Sequence, residues 1–439
     1  MGEPLHAARA RVVVARVLDR LADPEATAAD TLIPGSAWPE GVDLPLWIDL
    51  SLSSGYPGVS LAFAGTTPQG GSHTAHAHTY LTRAMAALSA GEHPPAGIYS
   101  GPGAAAYAVL VAHRATGGYV SALERLDDHQ RRLVRGALPA VGDQPLTTNG
   151  AFEVVRGMSG VGRYLLARGD GCADELRLVL SWLVALADGE IGHRGHRVPR
   201  WWTTAAPKLG QEVELPDGHL NLGLSHGIAG PLALLSLAWR EGVVVDGQRE
   251  AIESIAALLT RWAVPDPDGG GVSWPGYVTL DRWARGPGTT GTRQRPSWCY
   301  GVPGVSRAVQ LAALALGRAD WHDLARRSLI GLLDAPVETW VTDDPALCHG
   351  WGGLLHVLGR MNAEWDDPRL TRVCDELAAV VIGRFRDEYR FGFRSTMTHV
   401  AEGADVPAFL EGAAGVAAAL DAYAHGRAAA GWDEALLVA

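Results

Sequence analysis

Apolar and polar positions along this chain fall in long blocks, not in the short alternating steps of strands. Seven nearly uncharged apolar stretches lie at residues 59–63, 104–112, 161–166, 231–238, 305–316, 354–361 and 416–423. Between them run stretches of helical periodicity whose charges fall mostly on one side, at 119–137, 175–188, 248–263, 320–333 and 370–385. A helix apolar all round must be buried, and one with a polar face lies outside, so the pattern predicts two layers of helices. The N-terminal segment reads as a further amphipathic helix, with Val12, Val13, Ala15, Val17 and Leu18 near helical spacing.

Each apolar stretch is introduced by the same signal, a glycine, two residues and a second glycine. It occurs as Gly55/Gly58, Gly157/Gly160, Gly227/Gly230, Gly301/Gly304, Gly350/Gly353 and Gly412/Gly415, with Ser100 replacing the first glycine in Ser100/Gly103. Successive copies are 45, 57, 70, 74, 49 and 62 residues apart, room for two helices and a connection each. Seven alternations of inner and outer helix describe an all-α, double-layered α/α toroid of seven inner and seven outer helices. The glycines then allow tight turns and close backbone approach where the inner helices begin. One such domain accounts for residues 1–439. Two stretches break the rhythm. Residues 189–223 hold Trp201-Trp202, several prolines and the β-leaning 212–215, and read as a small inserted subdomain or long loop. Residues 265–297 are Gly/Pro-rich and lead into Trp298-Cys299, which marks an active-site loop.

Composition narrows the function without naming it. With 47% hydrophobic and 19% charged residues the chain folds into a globule. Its net charge of −11 argues against a nucleic-acid groove, which needs a basic face. Arginines 9, 11, 16 and 20 interrupt the N-terminal apolar residues, so no secretion signal is read there, and no apolar run is long enough to span a bilayer. Four cysteines in such a chain are expected as reduced thiols or metal ligands in a cytoplasmic protein.

The chemistry-bearing residues sit just ahead of the glycines. Repeat four reads Leu224-Ser225-His226-Gly227, repeat five Trp298-Cys299-Tyr300-Gly301 and repeat six Leu347-Cys348-His349-Gly350. In a toroid these places converge on one end of the cavity. Cys299, Cys348 and His349 match three protein ligands with an open fourth position, the pattern of catalytic zinc. Cys172 and Cys374 lie off this frame and read as inert core. Glu411, ahead of the seventh glycine pair, is a further cavity-facing candidate.

These strings, in this order on a seven-fold Gly-x-x-Gly frame, resemble the lanthipeptide (lantibiotic) cyclases from about residue 50 to the C-terminus. The resemblance implies zinc on Cys299, Cys348 and His349, and addition of cysteine thiols to dehydroalanine or dehydrobutyrine in a peptide with a leader. It implies a separate dehydratase acting beforehand, and association with it and an exporter at the membrane. Two thiolates and an imidazole make an electron-rich centre that leaves a bound sulfur nucleophilic and suits thiol addition better than hydrolysis. Attack on the β-carbon creates an enolate that needs a general acid. His226 matches the family's catalytic histidine. Arg295 matches a family arginine near the site and is suited to stabilising enolate charge, as is the hydroxyl of Tyr300. Glu153 stands where the family usually has Asp, one methylene longer, in position to orient His226. The alternative in the same fold is a zinc thiol transferase adding glutathione to dehydrated residues. A non-catalytic grip on a leader peptide is a third reading. An α/α-barrel glycosidase using Glu153 and Glu411 would leave the Cys–Cys–His set unexplained.

Overall fold

A computed structural model describes residues 3–29, 37–38, 42–43, 46–67, 72–91, 97–206, 215–266, 271–288, 295–340, 342–396 and 403–439. The chain falls into two compact units, Met1–His129 with Val341–Asp433, and Gln130–Trp340 with Glu434–Ala439. Among the described residues no helix is long and apolar enough to cross a membrane.

In the first unit four helices begin at glycine signals: Tyr56–Ala64, Gly101–Thr116, Trp351–Trp365 and Ala413–His425. Each follows a cap in extended conformation, Gly55, Ser100, Gly350 or Gly412, so the second glycine falls in the first turn. Tyr56–Ala64 packs on Ser72–Ser89 and Gly101–Thr116, and Trp351–Trp365 packs on Pro368–Gly383. The N-terminal helix Ala7–Arg20 lies against Ala413–His425. The amide of His6 donates to the Tyr423 hydroxyl at 3.1 Å at the start of that contact. Ala7, Ala10, Val13, Val14, Val17 and Leu18 are its buried face. The outer helix for the seventh repeat is thus supplied from the opposite end of the chain.

The second unit holds the other three glycine-led helices, Met158–Arg168, Ala229–Arg240 and Gly304–Leu316, with partners Ala173–Ala187, Gln248–Trp262 and Ala319–Leu333. Residues 304–313 are buried without interruption. Each fully buried Val or Leu there contributes about 1.5–3 kcal/mol. One of the ten is charged, and a buried charge without a partner costs several kcal/mol. Arg307 resolves this by donating from Nε to the Val438 carbonyl at 2.9 Å and from one terminal nitrogen to Gln310 Oε1 at 2.6 Å. Arg163 does the same for the Ala439 carbonyl at 3.0 Å, and the Trp298 indole donates to Leu436 at 2.8 Å. The C-terminal residues are therefore part of this unit's core.

The two stretches outside the helical rhythm carry short antiparallel strands. Glu190–His193 pairs with His196–Pro199 as a hairpin. His219–Asn221 pairs with Tyr277–Thr279, one strand drawn from each stretch, with Asn221 opposite Tyr277. Of the β-leaning 212–215, residues 212–214 lie outside the described residues, as do 267–270 and 289–294 of the Gly/Pro-rich loop.

The glycine signal has a definite geometric cause. A Cβ on Gly304 would lie 2.0 Å from the carbonyl oxygen of Trp298, and one on Gly353 would lie 1.9 Å from that of Leu347. Both carbonyls belong to the residue six positions earlier. The same spacing recurs from Leu52 to Gly58, Leu224 to Gly230 and Phe409 to Gly415. Each turn folds its six-residue entry back onto the first turn of the helix it starts. Neighbouring entries are joined by backbone hydrogen bonds. In the second unit the Val154 amide donates to Ser225 at 2.9 Å and that of Leu224 to Cys299 at 3.0 Å. In the first unit Cys348 donates to Leu410 at 2.9 Å, Leu410 to Ser53 at 3.1 Å and Leu52 to Tyr99 at 3.0 Å.

Candidate metal centre and proton-transfer pair

Where this six-residue closure is formed, it fixes the course of the backbone through the two places ahead of the first glycine. Those places hold Cys299-Tyr300, Cys348-His349, Ser225-His226 and Leu410-Glu411 in the four repeats that carry reactive groups. Among the described residues one group of at least three such side chains has ligand atoms all within 4.8 Å of one another, and it consists of Cys299, Cys348 and His349. Cys299 is buried, and Cys348 and His349 are half-buried. No disulfide joins any of the four cysteines, and Cys172 and Cys374 are buried outside this group.

His349 is held from two sides. Its carbonyl accepts from Thr342 Oγ1 at 3.1 Å, and its Nε2 stands 3.4 Å from Glu411 Oε2. The loop before it is braced by Asp344, whose Oδ2 accepts from Ser395 Oγ at 2.8 Å and from the Thr396 amide at 2.7 Å. Near Cys299 the brace is Ser297. Its hydroxyl donates to the Tyr300 carbonyl at 2.7 Å, accepts from the Tyr300 amide at 3.0 Å and lies 3.4 Å from Cys299 Sγ.

His226 and Glu153 meet directly. The carboxylate Oε2 accepts a hydrogen bond from His226 Nδ1, while Oε1 accepts from the Arg156 amide. Asn149 Nδ2 donates to the His226 carbonyl at 2.6 Å, fixing the backbone of the pair. Glu153 is 1% exposed and His226 40%, so the carboxylate is sequestered while the ring keeps an open edge. The extra methylene of glutamate is accommodated, and the carboxylate reaches the imidazole.

Tyr300 lies beside both Cys299 and His226, with its ring centroid 6.3 Å from the imidazole. Burial first, and then the neighbouring Tyr277, push its phenol far above the usual range, so it stays neutral. Burial also raises Tyr277 and holds the imidazole of His219 down at about 4. Arg295 is exposed and makes no ion pair among the described residues.

Asn149 and Ser297, and Asn221 and Tyr277, which each bond the Tyr300 hydroxyl at 3.0 Å, were not legible as neighbours of the candidate site. Asn221 and Tyr277 sit in the two stretches that resist the helical pattern. The one available signal was the apolar alternation of Leu220, Leu222 and Leu224, a strand period of two.

The family model described as lanthionine synthetase C-like protein matches residues 46–437. Among curated proteins, "Nisin biosynthesis protein NisC" of Lactococcus lactis subsp. lactis is 24% identical over 318 residues, covering 70% of this chain and 73% of that protein. Among solved structures, one described as "Nisin cyclase" superposes with a TM-score of 0.72 at 22% identity, covering 89% of this chain and 92% of that one. That likeness shows the fold, the double-layered helical toroid expected from the glycine frame.

Proposed function

This chain belongs to the lanthionine synthetase C-like family, and we propose that it closes thioether rings in a dehydrated precursor peptide, with zinc held by Cys299, Cys348 and His349. The observation that carries the reading is the gathering of two thiols and an imidazole within 4.8 Å in a member of this family. The donor set fits zinc, which favours sulfur and nitrogen and, in catalytic sites, three protein ligands with one place open. When bound, zinc supplies the positive charge that lets an incoming thiol lose its proton at neutral pH, where a free thiol of pKa ~8.5 is only a few per cent ionised.

The remaining work falls to this chain's own side chains. As the sulfur bonds to the β-carbon of dehydroalanine or dehydrobutyrine, the alkene electron pair moves onto Cα and its carbonyl as an enolate. His226, held at Nδ1 by Glu153, presents Nε2 as the atom that protonates Cα. The Tyr300 hydroxyl, with Arg295, stabilises charge on the enolate oxygen. The thiol proton lost at the start balances the one gained at Cα. A separate dehydratase would supply the peptide. We read residues 1–439 as one cyclase domain, in which 189–223 is an insertion and 265–297 lies beside the site. The contact of Tyr277 with Tyr300 supports the last point.

The test is metal content followed by turnover. About one zinc per chain is expected, lost on Cys299→Ala, Cys348→Ala or His349→Ala, and a dehydrated peptide should lose free thiol without gaining mass. Addition of glutathione mass in a competition assay would favour the thiol-transferase alternative. A folded, metal-free protein closing rings at full rate would overturn the proposal.

A further inference from the structure

We infer that the strand pair His219–Asn221 and Tyr277–Thr279 is a clamp that aims the Tyr300 hydroxyl as a hydrogen-bond donor, with Asn221 and Tyr277 as positioning residues for ring closure. The inference rests on the cyclase reading above and goes beyond it, because it assigns a task to two segments that the helical repeat does not explain.

A phenol has one proton to give and two lone pairs to fill. Asn221 Oδ1 accepts from the Gly223 amide at 3.0 Å, which fixes the orientation of the side-chain amide. Its Nδ2 is thereby turned to the Tyr300 hydroxyl, also at 3.0 Å, where it can only donate. The Tyr277 hydroxyl donates to the same oxygen at 3.0 Å. With both lone pairs occupied, the Tyr300 proton is left to point away from the clamp. Two incoming hydrogen bonds polarise the O–H and make it a better donor.

The geometry is built into the backbone. Asn221 and Tyr277 are register partners, so the two donors arrive from directly opposed positions on paired strands. The Tyr300 ring lies against glycine on two sides. A Cβ on Gly223 would stand 2.7 Å from its Cδ1 and Cε1, and one on Gly276 would stand 3.5 Å from its Cδ1. Ser297 ties down the Tyr300 backbone at both amide and carbonyl. Behind the clamp, the fully buried His219 ring meets Tyr277 edge-on, with centroids 5.2 Å apart. Preorganised donors of this kind act on charge that develops only during reaction and need no rearrangement at that moment.

The test is a double-mutant cycle on a peptide bearing one cysteine and one dehydroalanine, with kcat and KM resolved separately, and zinc content and thermal midpoint measured for each variant. Tyr300→Phe should lower kcat about 100-fold. Tyr277→Phe should lower it about tenfold beside Tyr300 and less than twofold beside Phe at position 300, with KM unchanged, since its effect passes through that hydroxyl. Asn221→Asp should be slower than Asn221→Ala, because a carboxylate would accept the Tyr300 proton and turn it inward. Equal effects of Tyr277→Phe in both backgrounds, or Asn221→Asp no slower than Asn221→Ala, would overturn the clamp. A wild-type protein that closes no ring would instead remove the cyclase reading.

Discussion

Replacing Glu153 by Gln tests the proposed proton-transfer role of the Glu153–His226 pair with almost no change of shape. Gln keeps an oxygen for the Arg156 amide but presents an NH2 group where the carboxylate now faces His226 Nδ1. A neutral imidazole adapts by accepting at Nδ1. The protonated ring, which is the form that can give a proton to Cα, would face a donor with a donor. It loses one charge-assisted hydrogen bond, a loss of about 1.5–3 kcal/mol. That corresponds to roughly 10- to 150-fold in rate. With His226 40% exposed, water substitutes in part and the lower end applies, about 10- to 30-fold. The assay is single-turnover ring closure of a dehydrated peptide near pH 7, with zinc content measured on the same samples. A slower rate at unchanged zinc content is expected. A Glu153→Gln protein within twofold of wild type would refute the view that this carboxylate holds the proton donor in place.

Two further outcomes follow from buried groups elsewhere in the first unit. Asp433, 2% exposed, accepts from His356 Nε2 at 2.9 Å and pairs with Arg360 Nε at 3.3 Å. Burial alone would raise its pKa, but the hydrogen bond from His356 and the charges of His356 and Arg360 hold it below the usual range. A depressed carboxylate contributes stability that is present above its unfolded pKa of ~3.9 and is lost as pH falls through its folded value. Asp433→Ala should therefore cost about 3–5 kcal/mol at pH 7 in denaturant titrations and progressively less below about pH 4. An equal loss at pH 7 and pH 3 would contradict this. Burial also pushes the Cys374 thiol up to about 12. Iodoacetamide at pH 8, followed by peptide mass mapping, should label the half-buried Cys348 of metal-stripped folded protein well before Cys374, and added zinc should slow that labelling. Early labelling of Cys374 would count against the packing described.

The helices were legible because burial writes itself into the charge pattern. The outer stretch expected at 248–263 is the helix Gln248–Trp262, and that at 320–333 is Ala319–Leu333. Five of the seven inner helices begin three residues before their apolar runs, as Trp351–Trp365 does against 354–361, because the residue at the first glycine position is the cap; Ala229–Arg240 and Gly304–Leu316, capped at Ile228 and Pro303, begin closer to theirs. The pairing of Ala7–Arg20 with Ala413–His425 was not legible, since nothing local in either segment names a partner four hundred residues away. The three-residue strands at Asn221 and Tyr277 carry too little periodicity to be paired in advance. Arg163 and Arg307 lie on buried helices because C-terminal carbonyls receive them, a contact that nothing local in either helix encodes. Cys299, Cys348 and His349 could be read together because a repeated turn makes distant positions equivalent. Whether the longer Glu153 would reach His226 depended on a side-chain path that no sequence pattern encodes.

The six-residue closure onto the second glycine constrains backbone only. It holds Ser53-Ser54, Ser225-His226, Cys299-Tyr300, Cys348-His349 and Leu410-Glu411 by the same contact, whatever the side chains are. Scaffold and chemistry are thereby uncoupled, and each entry works as a socket whose two occupants can be exchanged without redesigning its walls. A ligand, an acid or a plain filler can be fitted at one repeat while its neighbours keep their places through carbonyl-to-amide links. New reactivity in such a ring is a matter of refilling sockets, and Ser53-Ser54 stands as one whose present contents leave it open to refitting.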